Sequence, residues 1–200
     1  MKRIGILGGM SPASTAAYYR IITQRYTELN GDYGYPEIII CSVSFQLYVD
    51  WPEAGRWDKI AEGLSEAARR LETAGADFVL IATNTMHLVV DEVREAIDVP
   101  VLSLLDVVGE ALEEAGITKV GLLGTNFTME SDLYPEVLNP RGVQVLVPDA
   151  ESRQEVNRVI YEELVADRII ASSRASYVQI IESLVSRGAE GVILGCTEIP

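Results

Sequence analysis

The sequence is short of the residues that metal, cofactor and nucleic-acid chemistry most often uses. Its 200 residues hold one histidine, two cysteines and three lysines, against 30 acidic residues and a formal net charge of -14. His87 has no second imidazole to join it, and no CxxC or Cys/His cluster occurs, so no metal site is expected. Cys41 and Cys196 are too few for a disulfide framework, which points to a reducing, cytoplasmic setting. Lys2, Lys59 and Lys119 lie in or beside regular elements away from the expected strand ends. None is a good pyridoxal Schiff-base lysine, no other cofactor motif appears, and no cofactor is expected. The acidic balance disfavours nucleic acid and anionic membrane, whose binding needs basic patches. No apolar run approaches the length of a transmembrane helix. The opening MKRIGILGGM is short and glycine-broken, and reads as the first element of a fold rather than a signal peptide.

Apolar residue, in contrast, is plentiful at 48%, enough for one large α/β domain or two small ones with real cores. Arg3 to Leu7 reads as a strand running into Gly8-Gly9-Met10, and Ser11-Pro12 as the cap and first residue of a helix to about Leu29. The free N–H groups of that helix start, with the hydroxyls of Ser11, Ser14 and Thr15, form either a seat for a carboxylate or phosphate or an ordinary cap. Strands are expected at 37–43, 77–82, 101–104, 119–123, 143–147 and 191–195. Helices are expected at about 57–74, 106–115, 152–165 and 173–187, and one more runs from the 83–87 segment to about Ile97. The 44–55 stretch reads as a polar and aromatic loop, either a cover for a site or a surface excursion. The 57–74 helix carries Ile60, Leu64, Ala67, Ala68 and Leu71 on one face.

Two of these strands end in the same way. Gly75-Ala-Asp-Phe-Val-Leu-Ile-Ala-Thr83-Asn-Thr-Met aligns position for position with Gly188-Ala-Glu-Gly-Val-Ile-Leu-Gly-Cys196-Thr-Glu-Ile, which puts Thr83 opposite Cys196. The opening strand also repeats, as Val-Gly-Leu-Leu-Gly-Thr125, with Thr128 following. The chain therefore reads as α/β, two pseudo-symmetric three-layer domains at 1–105 and 106–200, each with a mainly parallel sheet of about four strands. The carboxyl ends of equivalent strands are expected to face one cleft that holds the active site. The first half has a fourth strand at 101–104, whose counterpart would lie beyond Pro200. On that reading a last strand and a closing helix are missing from the chain.

Cys196 is either a thiol delivered to that site or a packed strand-end cysteine. His87 is either a substrate contact or acid/base group, or it hydrogen-bonds locally. A pair of groups flanking one small molecule suits removal of a proton from one face of a carbon and its return to the other. A thiolate is a competent base when helix N-termini and nearby donors lower its pKa.

The motifs Gly5-Ile-Leu-Gly-Gly-Met10-Ser11, Thr83-Asn84-Thr85-Met86-His87, Leu123-Gly124-Thr125 with Thr128-Met129-Glu130, and Gly195-Cys196-Thr197-Glu198-Ile199 together resemble the aspartate/glutamate racemase superfamily. The likeness covers essentially the whole chain, and the Cys-Thr-Glu ending is similar to the aspartate racemase branch. It implies cofactor-independent interconversion of L- and D-aspartate, or glutamate, in two pseudo-symmetric α/β domains. In the family two cysteines occupy these strand ends; here the pair is Thr83 and Cys196. A threonine hydroxyl is far too weak an acid to work unaided, so Thr83 needs activation by a neighbour, or a water in its place.

The resemblance further implies that Met10, Ser11, Asn84, Thr85, Met86, Thr125, Thr197 and Glu198 surround the substrate. Arg168, or else Arg56, would then pair with its side-chain carboxylate. The implied partner is a small acidic amino acid, and the expected assembly a homodimer. Two alternatives stay open: a single-cysteine decarboxylase of malonate-type acids, and an inactive protein that only binds an acidic metabolite.

Overall fold

The computed structural model describes residues 2–200 and divides the chain into two compact units, the first ending at Leu104 and the second spanning Leu105–Pro200. In the first, β1 (Ile4–Gly8) leads into α1 (Pro12–Asn30), followed by β2 (Ile38–Ser42), α2 (Phe45–Glu53) and α3 (Trp57–Thr73). Then come β3 (Phe78–Ile81), a 3-10 turn at Thr85–Val89, α4 (Val90–Glu95) and the short β4 (Val101–Leu102). All pairings are parallel, in the order β2-β1-β3-β4.

The periodicity explains the packing. In β1 the side chain of Leu7 points into a core with Val79 and Ile81 of β3 and the α3 stripe Ile60, Leu64, Ala67, Ala68 and Leu71. Ile6, one residue earlier, is equally buried yet lies outside that cluster, because successive strand residues face opposite sides. The Leu7 face is packed under α3, whereas on the Ile6 face only the centre of the sheet is covered: Ile40 and Leu102, in register on that face, are 41% and 48% exposed.

The expected 44–55 loop is instead largely the helix α2. Its sequence FQLYVDWPE sets Phe45, Tyr48, Val49 and Pro52 at i, i+3, i+4 and i+7, a short apolar stripe that the loop reading passed over; Tyr48 and Pro52 are buried, and Phe45 packs against the core. Tertiary contact fixes this stripe in place. Tyr48 stacks edge-on against Trp51, with centroids 5.2 Å apart, and its hydroxyl sits where a Cβ on Gly63 of α3 would be, 2.5 Å away.

α5 (Leu104–Glu114) begins on the last residue of the first unit and runs through the start of the second, and β5 (Lys119–Leu123), α6 (Asn126–Glu130), α7 (Leu133–Leu138) and β6 (Gln144–Leu146) follow. It ends with α8 (Ala150–Glu162), α9 (Ala171–Ser186) and β7 (Gly191–Leu194). Its three parallel strands run β6-β5-β7, the same arrangement as β2-β1-β3. The repeated glycines do the same work in both units. Gly75 and Gly188 turn into β3 and β7 with φ of +94° and +98°, a conformation that disfavours a side chain. After each, an acidic residue meets the start of the unit's first strand: Asp77 N–H donates to Arg3 O, just ahead of β1, and Glu190 N–H to Lys119 O, the first residue of β5, both at 2.9 Å.

Asp167, at φ 55°, ends the short turn that follows α8 and explains the break seen there in the sequence pattern. No helix among the described residues is long and apolar enough to cross a membrane.

Candidate active site

Each unit builds its strand-to-helix corner by the same local chemistry. In the first, Ser11 caps α1: its hydroxyl accepts the Ser14 N–H at 3.3 Å, and the Thr15 hydroxyl donates to Ser11 O at 3.0 Å. Gly9 N–H donates to Thr15 Oγ1 at 2.8 Å, an approach that leaves no room for a Cβ on Gly8. In the second, Thr125 caps α6 by accepting the Thr128 N–H at 3.3 Å, and the two hydroxyls lie 3.2 Å apart. Both corners thus use their hydroxyls as caps.

The end of β7 delivers Cys196. Gly195 N–H donates to Leu123 O at 2.6 Å, and the chain turns so that Ile199 N–H meets Cys196 O at 3.1 Å. Within this turn the Cys196 thiol donates to Glu198 Oε2 at 3.1 Å, and the Thr197 hydroxyl donates to the same oxygen at 3.0 Å. Burial first, and then the negative charge of Glu198, push the thiol well above its ordinary pKa, against a smaller opposing effect of the backbone N–H groups. This reverses the expectation that neighbouring donors lower it. The reason is local: the sulfur is taken out of water, the residue two positions on is a carboxylate, and together they outweigh the peptide dipoles. Cys196 at rest is a neutral thiol with a proton acceptor in contact.

Thr83 follows the end of β3 and is half-buried; among the described residues of its own unit, no side chain is hydrogen-bonded to its hydroxyl. Its carbonyl accepts His87 Nδ1–H at 2.9 Å, and the Asn84 carbonyl lies 3.3 Å from the same nitrogen. Leu104 N–H donates to His87 Nε2 at 3.1 Å. A backbone N–H can only donate, so Nε2 is the acceptor and the ring is the neutral Nδ1–H tautomer. His87 is 2% exposed and both ring nitrogens are occupied by backbone, which is the local hydrogen-bonding reading of this residue.

The other candidates are distributed as follows. Met10 and Met86 are each 4% exposed and belong to the apolar core, so only their backbone is available to a ligand. Asn84 is buried, Thr85 begins the 3-10 turn, and Thr197 is exposed. Arg168 donates through Nη2 to Glu162 O at the end of α8, a helix-terminal contact. Arg56 grips Asp58 with two hydrogen bonds of 2.8 and 2.6 Å, and holds that carboxyl at about 2. Both arginines foreseen for a substrate carboxylate therefore already have partners.

Three residues escape the sequence reading. Arg174, in the first turn of α9, lines with Glu198, Ile199, Leu194 and Tyr177 a cavity of about 380 Å³. Tyr177 donates its hydroxyl to Val156 O at 2.9 Å, and desolvation chiefly, with the Cys196 sulfur second, raises its pKa. Asn126 has a buried side-chain oxygen without a hydrogen-bond partner, beside the Thr125 cap. Nothing in the local sequence separates Arg174 from a solvated helix arginine.

Comparison with known proteins identifies the family. Residues 7–200 match the family model described as Asp/Glu/Hydantoin racemase. The chain is 30% identical over 201 residues to the broad specificity amino-acid racemase RacX of Bacillus subtilis (strain 168), covering 98% of this chain and 85% of that protein. Among solved structures, a putative Asp/Glu racemase from Yersinia pestis superposes with a TM-score of 0.92 at 40% identity, covering 100% of this chain and 87% of that one. An aspartate racemase homologue from Pyrococcus horikoshii OT3 does so with 0.82 at 41% identity, with the same two coverages. Two parallel sheets with matching strand order, glycine turns and capped corners, together with a match over nearly the full length, establish that the chain belongs to the Asp/Glu/hydantoin racemase family.

Proposed function

We propose that this protein is a cofactor-independent racemase that inverts a small amino acid at Cα, with aspartate the first substrate to test and glutamate the second. Cys196 serves one face of the carbon and Thr83 the other. The observation that carries the reading is the contact between the Cys196 thiol and the Glu198 carboxylate at the end of β7. Removal of the Cα proton by Cys196 starts with transfer of the thiol proton to Glu198 Oε2, after which the thiolate takes the substrate proton. The reverse direction needs only the neutral thiol that the resting site already holds. Thr83 lacks such a partner within its unit, so a water beside its hydroxyl moves the proton on that face.

Asn126 offers an acceptor suited to the substrate ammonium group, and Arg174 is the arginine that shares a cavity wall with Glu198. We assign to Arg174 the side-chain carboxylate, in place of Arg168. The support from relatives is their names: an aspartate racemase homologue on one side and a broad-specificity amino-acid racemase on the other. Incubation of each enantiomer of aspartate, glutamate and a panel of neutral amino acids in deuterium oxide tests the proposal, with Cα exchange as the readout. No exchange with any amino acid would sink it.

One observation favours a second reading. A thiol held protonated is well suited to deliver a proton to an enolate, which is all that decarboxylation of a malonate-type acid asks of it. Release of carbon dioxide from substituted malonates, with no exchange on amino acids, would select that reaction.

A further inference from the structure

We infer that His87 is a positioning residue for the strand-end peptides of Thr83 and Asn84, and that it does this by tying them to the first peptide of α5. The inference deepens the racemase reading and rests on it. Three backbone groups converge on one buried imidazole: the carbonyls of Thr83 and Asn84 at Nδ1, and the Leu104 N–H at Nε2. A fourth contact, His87 N–H to Asn84 O at 2.9 Å, closes the turn on itself. The carbonyls of the two peptides after Thr83 and Asn84 are thereby turned toward one ring whose far nitrogen is held by Leu104, and this constrains the direction in which the Thr83 side chain leaves the backbone.

The need for such a device follows from the repeat. Cys196 gains its orientation from Glu198, two residues on, through a side-chain contact. The residue aligned with Glu198 is Thr85, which carries no carboxylate. The Thr83 end is instead held through its main chain. Because the ring is a donor at one nitrogen and an acceptor at the other, no single apolar or charged side chain can replace it. The two nitrogens can, however, be tested separately. Asparagine reproduces the donor near Nδ1 and loses the Leu104 contact, whereas glutamine reproduces the acceptor near Nε2 and loses the Thr83 contact.

The experiment compares wild type with His87→Asn, His87→Gln and His87→Ala, measuring kcat and KM for Cα exchange, thermal midpoint, and amide hydrogen exchange. Nitrogen-15 NMR of the wild-type imidazole reports the tautomer. We expect the Nδ1–H tautomer, and a kcat reduced about 10- to 100-fold in the Gln and Ala variants at a KM within about twofold of wild type. His87→Asn keeps kcat within about threefold, although its thermal midpoint falls as far as that of His87→Gln. Amides of 83–87 exchange faster in His87→Gln, and that of Leu104 faster in His87→Asn. An Nε2–H tautomer, or a kcat that follows the thermal midpoint across all three variants, overturns the inference. A wild type without Cα exchange removes the racemase reading itself, and the tautomer and amide protection then decide the bridge on their own.

Discussion

The two units reach the same place by different means. Both turn on a left-handed glycine, run a parallel strand beside the first strand of the unit, and stop at a residue offered for chemistry. At the end of β7 that residue is a thiol in contact with a carboxylate; at the end of β3 it is a hydroxyl whose backbone is gripped by a buried imidazole. The repeat preserves the frame and changes the chemistry. On the proposed reading, a carboxylate in contact with the group at one end and none at the other would make the two directions of proton transfer unequal, and every prediction about activity tests that inequality.

The largest effect is expected from Cys196→Ala. Removing the thiol should lower racemisation about 10³-fold or more, with the protein still folded by circular dichroism. Glu198→Gln comes next, with racemisation lowered about 10²-fold because no carboxylate in contact with the sulfur takes and returns its proton during turnover. The same substitution removes the charge that raises the thiol, so alkylation of Cys196 by iodoacetamide at neutral pH should become faster. The sign is particular to this site: in wild type the thiol stays protonated through neutral pH, and alkylation accelerates only as the pH becomes strongly alkaline. A Glu198→Gln protein that alkylates more slowly contradicts the geometry.

Thr83 allows the inequality to be changed in both directions. Thr83→Ala should slow exchange of the enantiomer served by that face about 10-fold or more and leave the other less affected. Thr83→Cys places a thiol at both ends and should bring the two exchange rates closer together, because a thiol ionises far more readily than an alcohol. Smallest are the capping effects, where the units should behave alike. Ser11→Ala and Thr125→Ala each remove a side-chain acceptor from a helix start, and each should cost about 1 kcal/mol in denaturant titration. A cap that costs nothing in one unit alone would show that the shared corner is not shared in energy.

Much of the frame was readable from residue order because it depends on local rules. The α3 stripe follows from helical spacing, and the glycine before each repeated strand marks a positive φ that few other residues accept. The capping serines and threonines likewise announce themselves. What could not be read depends on partners distant in sequence. The nine residues of α2 carry only a short stripe, Phe45, Tyr48, Val49 and Pro52, and it becomes decisive once Tyr48 packs on α3. β4 is two residues long, half of the expected 101–104, because α5 begins at Leu104.

The site divides along the same line. Cys196 and Thr83 stand out through the repeat, and Glu198 is close enough in sequence to be named beside Cys196. The direction in which Glu198 moves the thiol required its distance. Arg168 carries the right charge, but the end of α8 uses it; Arg174 becomes visible only once α9 brings it to the cavity that Glu198 lines. His87 is singular in the sequence, yet its role depends on Leu104, seventeen residues away in the chain.

The most direct test of the account is solvent exchange at Cα of L- and D-aspartate, followed separately by proton NMR in deuterium oxide with wild type and Cys196→Ala in parallel. The account predicts exchange of both enantiomers by wild type at unequal rates, and, when the thiol is removed, loss of racemisation together with exchange of the enantiomer that Cys196 deprotonates. Racemisation that survives in Cys196→Ala would contradict it.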